Sequence, residues 1–213
     1  MRNEGPFIVE WVAWYRWLGF SDIVVVTNNC TDHSPDLLDA LQAAGWAHHI
    51  RKDIPPGHRI KVRKLAEARK HRAVRRAEWV LLCDVYEVLV IHRGQGLLAD
   101  LLAPHLDTDG TPQFLGMSPN WQVFGTDGKD RFVDLPVHRQ FFRTCGAGRR
   151  LAWNVKSLHR HPDWLDALGE HGPRGLSLKR AGKAWGDPGR VWIIPGGQVG
   201  ARVAAGWALS ADR

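Results

Sequence analysis

The feature that most constrains the fold is a regular alternation of helical and extended segments that runs from the N-terminus to Asp84. Apolar side chains recur at helical spacing in the first segment, and β-branched runs with turn residues at their ends follow it. The predicted elements are helix 6–18, strand 22–28, helix 34–45, strand 46–51, helix 59–77 and strand 78–84. Strands separated by helices of this length form βαβ units, so the pattern predicts an α/β fold with a mainly parallel sheet flanked by helices.

The periodicity weakens after residue 91. The remaining predicted elements are a helix over 97–106, strands over 116–124 and 137–142, and a short extended segment over 164–168. From Gly172 onward Gly, Pro, Arg and Lys dominate without a period, which is typical of loop or disorder. We therefore predict a single domain over 1–171 and an irregular or disordered tail over 172–213.

Composition places the chain among globular proteins that have anionic partners. Its 213 residues are enough for one domain, and 29 Lys and Arg against 22 Asp and Glu leave a formal net charge of +7. Three cysteines without a CxxC pair argue against a disulfide framework and a zinc finger. No apolar run approaches the ~20 residues of a membrane span, and the polar N-terminus does not resemble a signal peptide. These features predict a cytoplasmic location.

Carboxylates follow the strand 78–84 directly. In a parallel sheet the ligand site lies at the carboxyl ends of the strands, where Asp84 and Glu87 are expected. Acidic groups there can hold a divalent cation, which in turn neutralises a bound diphosphate. The alternative interpretation is that these carboxylates simply face solvent at the end of the strand and bind no metal.

Two blocks of sequence resemble a known enzyme family. The stretch RNEGPFIVEWVAWYRWLGFSDIVVVTNNCTDHS at 2–34 and the run WVLLCDVYEVLV at 79–90 are similar to the N-terminal half of bacterial family 2-like glycosyltransferases. The resemblance extends over about residues 2–171. It implies a GT-A-like nucleotide-diphospho-sugar-binding fold, a nucleotide-sugar donor, a glycan or other hydroxyl acceptor, inversion at the anomeric carbon, and Mn²⁺ or Mg²⁺ as cofactor.

The resemblance also assigns roles to individual residues. It implies catalytic and metal-binding roles for Asp84 and Glu87, and a further metal contact for His171. The residues that it places at the nucleotide sugar are Asn3, Glu4, Asn28, Asp32, Lys156 and Ser157. For the downstream residues Lys156, Ser157 and His171, a plain surface role is the alternative.

The chain departs from the family pattern in two places. The family's acidic motif reads D-x-D, whereas Tyr86 stands here in place of the second Asp and Val88 in place of a following Phe. Along a strand, side chains at i and i+2 point to the same side, so Asp84 and Tyr86 are expected to face the metal together. The chain also starts at the loop that follows the first strand in the family, so the first, interior strand is expected to be missing.

Basic residues crowd the predicted helix 59–77. They are Arg59, Lys61, Arg63, Lys64, Arg69, Lys70, Arg72, Arg75 and Arg76. Their simplest interpretation is a solvated helix face, and the alternatives are a footprint for nucleic acid or for an anionic membrane surface at the inner membrane face. No helix-turn-helix, RRM or zinc-finger signature is present, so we expect no specific nucleic acid. The alternatives to an active transferase are a catalytically impaired remnant of that family and a basic nucleic-acid-binding protein.

Overall fold

The computed structural model describes residues 1–112, 114–144, 154–169 and 171–172, and the backbone of short strands at 174–176, 191–193 and 199–200. The fold is mixed α/β, with small parallel and antiparallel sheets. In the described part of the chain, none of the helices is both long and apolar enough to cross a membrane.

The N-terminal part follows the predicted alternation. Its elements are α1 (Gly5–Trp17), β1 (Val24–Thr27), α2 (Ser34–Ala43) and β2 (His48–Arg51). Strands β1 and β2 pair in parallel, with Val24 opposite His48. One face of α1 buries Ile8 and Tyr15 in a core that also contains Val25 and Leu38. The apolar residues that recur at helical spacing in the sequence are therefore the ones that α1 buries.

The basic segment forms two helices instead of one. Helix α3 (Ile60–Lys70) ends at His71, whose backbone is extended, and α4 (Arg72–Arg76) begins directly after it. The His71 ring accepts a hydrogen bond of 3.2 Å from the Ala73 N–H and so caps α4. The prediction of one helix over 59–77 is wrong at this break.

The second sheet is mixed rather than mainly parallel. Its strands are β3 (Trp79–Leu81), β4 (Phe114–Met117), β5 (Leu158–Arg160), β8 (Val191–Ile193) and β9 (Val199–Gly200), in the order β3-β5-β4-β8-β9. Strand β5 is antiparallel to both of its neighbours, and β4 pairs with β8 in parallel. Two further strands, β6 (Leu165–Ala167) and β7 (Arg174–Leu176), form a separate antiparallel pair.

Several predicted boundaries shift. The predicted helix 97–106 is α5 (Leu98–Leu102) followed by a 3₁₀ turn, and the predicted strand 116–124 ends at Met117. Where a strand was expected over 137–142, the chain forms the short helix α6 (Val137–Gln140). The carboxylate of Glu10 accepts a hydrogen bond of 2.8 Å from the Val137 N–H, which stabilises the start of that helix.

The segment 172–213 contains the short strands β7, β8 and β9, although the sequence predicts an irregular tail there. Because β8 pairs with β4, part of this segment belongs to the second sheet. The remainder of 172–213 lies outside the described residues, so the division at residue 171 stays a prediction.

Met1 lies along the edge of β1 that faces away from β2. The terminal amino group of Met1 donates to the Val26 carbonyl at 2.6 Å, and the Asn28 N–H donates to the Met1 carbonyl at 3.1 Å. These two bonds have the pattern of a parallel ladder. Leu81, in β3, packs against the same core as β1. The interior strand that the resemblance predicts would pair along this edge, and it stays a prediction.

Candidate functional site

A tight turn carries the acidic residues that follow β3. The strand ends at Leu81, and the Glu87 N–H donates to the Asp84 carbonyl at 3.0 Å, which closes a turn over 84–87. The Glu87 carboxylate accepts a second bond of 2.8 Å from the Asp84 N–H. Because this segment is a turn, the expectation that Asp84 and Tyr86 face one side as neighbours along a strand is wrong.

The ammonium group of Lys156 binds both carboxylates of this turn. Its Nζ lies 3.0 Å from Glu87 Oε2 and 3.4 Å from Asp84 Oδ2, and only 8% of the Lys156 side chain is exposed. The ring centroid of Trp121 lies 5.6 Å from the same Nζ. A buried ammonium requires such partners, because desolvation penalises an uncompensated charge. The structure therefore joins Asp84, Glu87 and Lys156, three residues that the sequence assigned to one site.

Helix α1 holds the chain that leaves this turn. The hydroxyl of Tyr15 donates to the Glu87 carbonyl at 3.2 Å and accepts from the Leu89 N–H at 3.1 Å. The indole of Trp14 donates to the Leu89 carbonyl at 2.9 Å. Sequence reasoning treated Tyr15 only as an apolar position of the helix. The residue type could have indicated this role, since the hydroxyl of a buried tyrosine usually needs a hydrogen-bond partner.

Tyr86 projects from the turn and is 63% exposed. Partial desolvation, followed by the charge of Asp84 and a hydrogen bond to it, raises the pKa of the Tyr86 phenol to about 12. The phenol is therefore protonated at neutral pH and acts as a hydrogen-bond donor beside Asp84. A neutral phenol is a poor ligand for a hard cation.

Asn3 and Glu4 bring the N-terminal loop to the same region. Asn3 has a left-handed backbone and exchanges two hydrogen bonds with Thr31, of 2.8 and 3.0 Å. Burial raises the pKa of the Glu4 carboxyl, and the negative charges of Asp84 and Asp32 raise it further, against the opposing effect of the terminal amino group. The Glu4 carboxyl therefore lies within electrostatic reach of the acidic turn.

Asp32 serves as a cap for two helices. Its carboxylate accepts from the Gly5 N–H at 3.2 Å, at the start of α1, and from the Ser34 N–H at 3.1 Å and hydroxyl at 2.7 Å, at the start of α2. Such bonds satisfy backbone donors that a helix leaves open at its N-terminus. In the structure, Asp32 therefore stabilises the starts of α1 and α2, next to the predicted nucleotide site.

Asn28 follows β1 and is only 2% exposed. Its Nδ2 donates to Asn29 Oδ1 at 3.2 Å, whereas its own Oδ1 is buried and has no hydrogen-bond partner within the described residues. A buried acceptor without a partner is costly, so this oxygen calls for a partner such as a water, an ion or a ligand.

Ser157 and His171 form a neighbouring polar group. The Ser157 hydroxyl donates to the His171 carbonyl at 2.8 Å, and its Oγ lies 3.1 Å from the hydroxyl of Ser118. The His171 ring meets Trp121 edge-on at a centroid distance of 5.4 Å. The Trp121 ring therefore contacts both the His171 ring and the Lys156 ammonium. Within the described residues, no three His, Cys, Asp or Glu side chains are grouped closely enough to hold a metal.

Lys64 of α3 reaches the same edge of β1. Burial, and then the charge of Lys64, lower the pKa of the Met1 amino group to about 5. The positive charge of Lys64 also lowers the pKa of the Glu4 carboxyl. Within the described residues, this region therefore contains charges of both signs.

Comparison with protein-family models, curated proteins and solved structures finds no match for this chain. The chemistry of the site and the resemblance of the sequence motifs therefore carry the functional argument.

Proposed function

We propose that this chain is a GT-A-like glycosyltransferase that moves a sugar from a nucleotide-diphosphate donor to a hydroxyl acceptor. The observation that carries the proposal is the convergence of the Asp84 and Glu87 carboxylates on one positive centre, at 3.4 and 3.0 Å. This centre follows the carboxyl end of β3, and the open acceptor of Asn28 follows the carboxyl end of β1. Ligand sites of α/β sheets lie at such strand ends.

The two carboxylates suit a divalent cation. The Lys156 ammonium stands in for a cation between them, and Mn²⁺ and Mg²⁺ prefer carboxylate oxygens of this kind. When bound, the cation would supply positive charge for the diphosphate leaving group. His171 is a proposed additional ligand, and its ring and the Lys156 ammonium both contact the Trp121 ring.

The proposed reaction exchanges one bond at the anomeric carbon. The bond to the donor's diphosphate oxygen breaks, and a bond to the acceptor hydroxyl oxygen forms from the opposite face, with inversion. Negative charge develops on the diphosphate, beside Lys156 and Ser157, while a carboxylate base takes the acceptor proton. The nucleotide is proposed to lie beside Asn3, Glu4, Asn28 and Asp32. Asp32 also fixes the local backbone through its bonds to the Gly5 and Ser34 N–H groups.

An anionic membrane surface is a second proposed partner. The first turn of α3 and the residue before it expose three basic side chains, Arg59, Lys61 and Arg63, together with the apolar side chains of Ile60 and Val62. Basic and apolar side chains on one exposed helix end suit an interface with anionic lipid, where the acceptor of a transferase can reside.

We predict that nucleotide sugars raise the melting temperature of this protein when Mn²⁺ is present. Ligand that binds only the native state stabilises it by RT ln(1 + [L]/Kd), about 2.7 kcal/mol at a hundredfold excess over Kd. The measurement is a melting scan with a panel of UDP- and GDP-sugars, with and without Mn²⁺, for the wild type and Asp84→Asn.

A shift that Asp84→Asn abolishes supports the donor site. No shift for any donor, with or without metal, contradicts it. A donor-induced shift without turnover would identify the protein as a catalytically impaired member of this class.

A further inference from the structure

Three side chains at the acidic turn form a cluster with a net negative charge. The Asp84 and Glu87 carboxylates contribute two negative charges, and the Lys156 ammonium between them contributes one positive charge. Because the Lys156 side chain is largely buried, its charge is screened less than that of a surface lysine. Lys156 is therefore the positive partner of both carboxylates while no ligand is bound.

A divalent cation and a nucleotide-sugar diphosphate change this charge in opposite directions. The cation adds two positive charges, and the diphosphate of a nucleotide sugar adds two negative charges. The cation alone takes the net charge of the three side chains from −1 to +1, and the diphosphate alone takes it to −3; both are unfavourable beside the largely buried side chains of Lys156 and Glu87. Both together leave the net charge of the cluster unchanged.

Lys156 determines how strongly the two ligands depend on each other. Without a nucleotide, a cation that approaches Asp84 and Glu87 must compete with the ammonium that already binds them. A displaced ammonium loses these two ion pairs, and a diphosphate beside the cation offers it anionic oxygens in their place. Ser157, next in the chain, keeps this segment in place through its bonds to Ser118 and His171.

We propose that Lys156 is a resident counter-ion that couples the binding of the divalent cation to the binding of the nucleotide diphosphate. This inference rests on the proposed function, because it assumes that a nucleotide diphosphate binds here. It assigns Lys156 a positioning and linkage role: the lysine holds the two carboxylates while the site is empty and contacts the phosphates when the site is filled.

The test is calorimetric titration of Mn²⁺ in metal-free buffer, with and without UDP. Wild type is compared with Lys156→Met, which removes the counter-ion, and with Lys156→Arg, which keeps the charge. Lys52→Met is the matched control, since Lys52 pairs with Glu67 at the surface, at 3.6 Å. Association of Mn²⁺ with UDP in solution is common to all four proteins and cancels in the comparison.

We expect UDP to tighten Mn²⁺ binding to the wild type by about tenfold or more, within the usual range of coupling between sites. Lys156→Met should bind Mn²⁺ alone about tenfold more tightly than the wild type, and UDP should tighten its Mn²⁺ binding by a smaller factor than in the wild type, because only the direct attraction between cation and diphosphate remains. Lys156→Arg and Lys52→Met should behave like the wild type.

Two results would overturn the inference. One is a wild type that binds both ligands independently, a measurement that needs no variant to fold. The other is a folded Lys156→Met protein whose Mn²⁺ affinity equals that of Lys52→Met. Failure of UDP, and of GDP in the same titration, to bind any of the four proteins would instead overturn the proposed function, and the coupling with it.

Discussion

A strand of Val, Ile and Thr residues joined directly before Met1 is expected to raise the free energy of unfolding by several kcal/mol. Met1 already makes the first two bonds of a parallel ladder on the outer edge of β1. Residues added before it would continue that ladder along Val24 and Val26 and bury apolar side chains, at roughly 25 cal/mol per Å².

Part of this gain comes from the terminal amino group itself. Burial and the charge of Lys64 lower the pKa of the Met1 amino group to about 5, from an ordinary value near 8. Between these two values the unfolded chain binds a proton that the folded chain lacks, so stability rises as the pH rises from 5 to 8. The change is at most about 4 kcal/mol. An amide at this position removes the dependence.

Chemical unfolding at pH 5 and pH 8 separates the two contributions. The matched control is a Gly-Ser extension of the same length, which converts the amino group to an amide but has low β propensity. We expect the control to abolish only the pH dependence contributed by Met1, and the β-branched extension to add stability at both pH values. Equal stability of the two extended proteins would show that no strand forms along β1.

The second large effect is expected from Tyr86→Asp, which should tighten Mn²⁺ binding by about tenfold, or ~1.4 kcal/mol. Tyr86 presents a protonated phenol beside the Asp84 carboxylate. An aspartate at this position adds a negative charge and two oxygen ligands, and cation affinity rises with the charge of the ligand set. The turn over 84–87 has room for the change because Tyr86 is exposed.

Tyr86→Phe is the matched control, since it removes the hydroxyl and adds no charge. Mn²⁺ titrations should rank Tyr86→Asp above the wild type, place Tyr86→Phe close to the wild type, and show no binding at this site for Asp84→Asn. Equal affinities in all four proteins would place the cation elsewhere.

Local periodicity predicted the first four elements well because each has a strong signal of its own. Helix α1 has apolar residues on one face, and β1 is a β-branched run with turn residues after it. The break at His71 depends on a side-chain cap, and α6 depends on a contact with Glu10, which is distant in the chain. Neither interaction can be predicted from the spacing of apolar residues along the chain.

The sequence predicted which residues belong to the candidate site, but it did not predict how they are arranged. Sequence motifs selected Asp84, Glu87 and Lys156, and the structure brings the three together. The turn at 84–87 and the support from Tyr15 could not be predicted, because they depend on hydrogen bonds between elements far apart in the chain. The capping role of Asp32 was likewise hidden, since a carboxylate at a strand end also suits a ligand site.

Release of nucleotide from a sugar donor tests whether the turn at 84–87 forms the donor site. Wild type, Asp84→Asn and Lys52→Met are incubated with UDP- and GDP-sugars and Mn²⁺, and the liberated UDP or GDP is measured over time. The account predicts release with at least one donor by the wild type and by Lys52→Met, and loss of that release in Asp84→Asn. Release that is equally fast in Asp84→Asn would contradict the assignment of the donor site to the turn at 84–87.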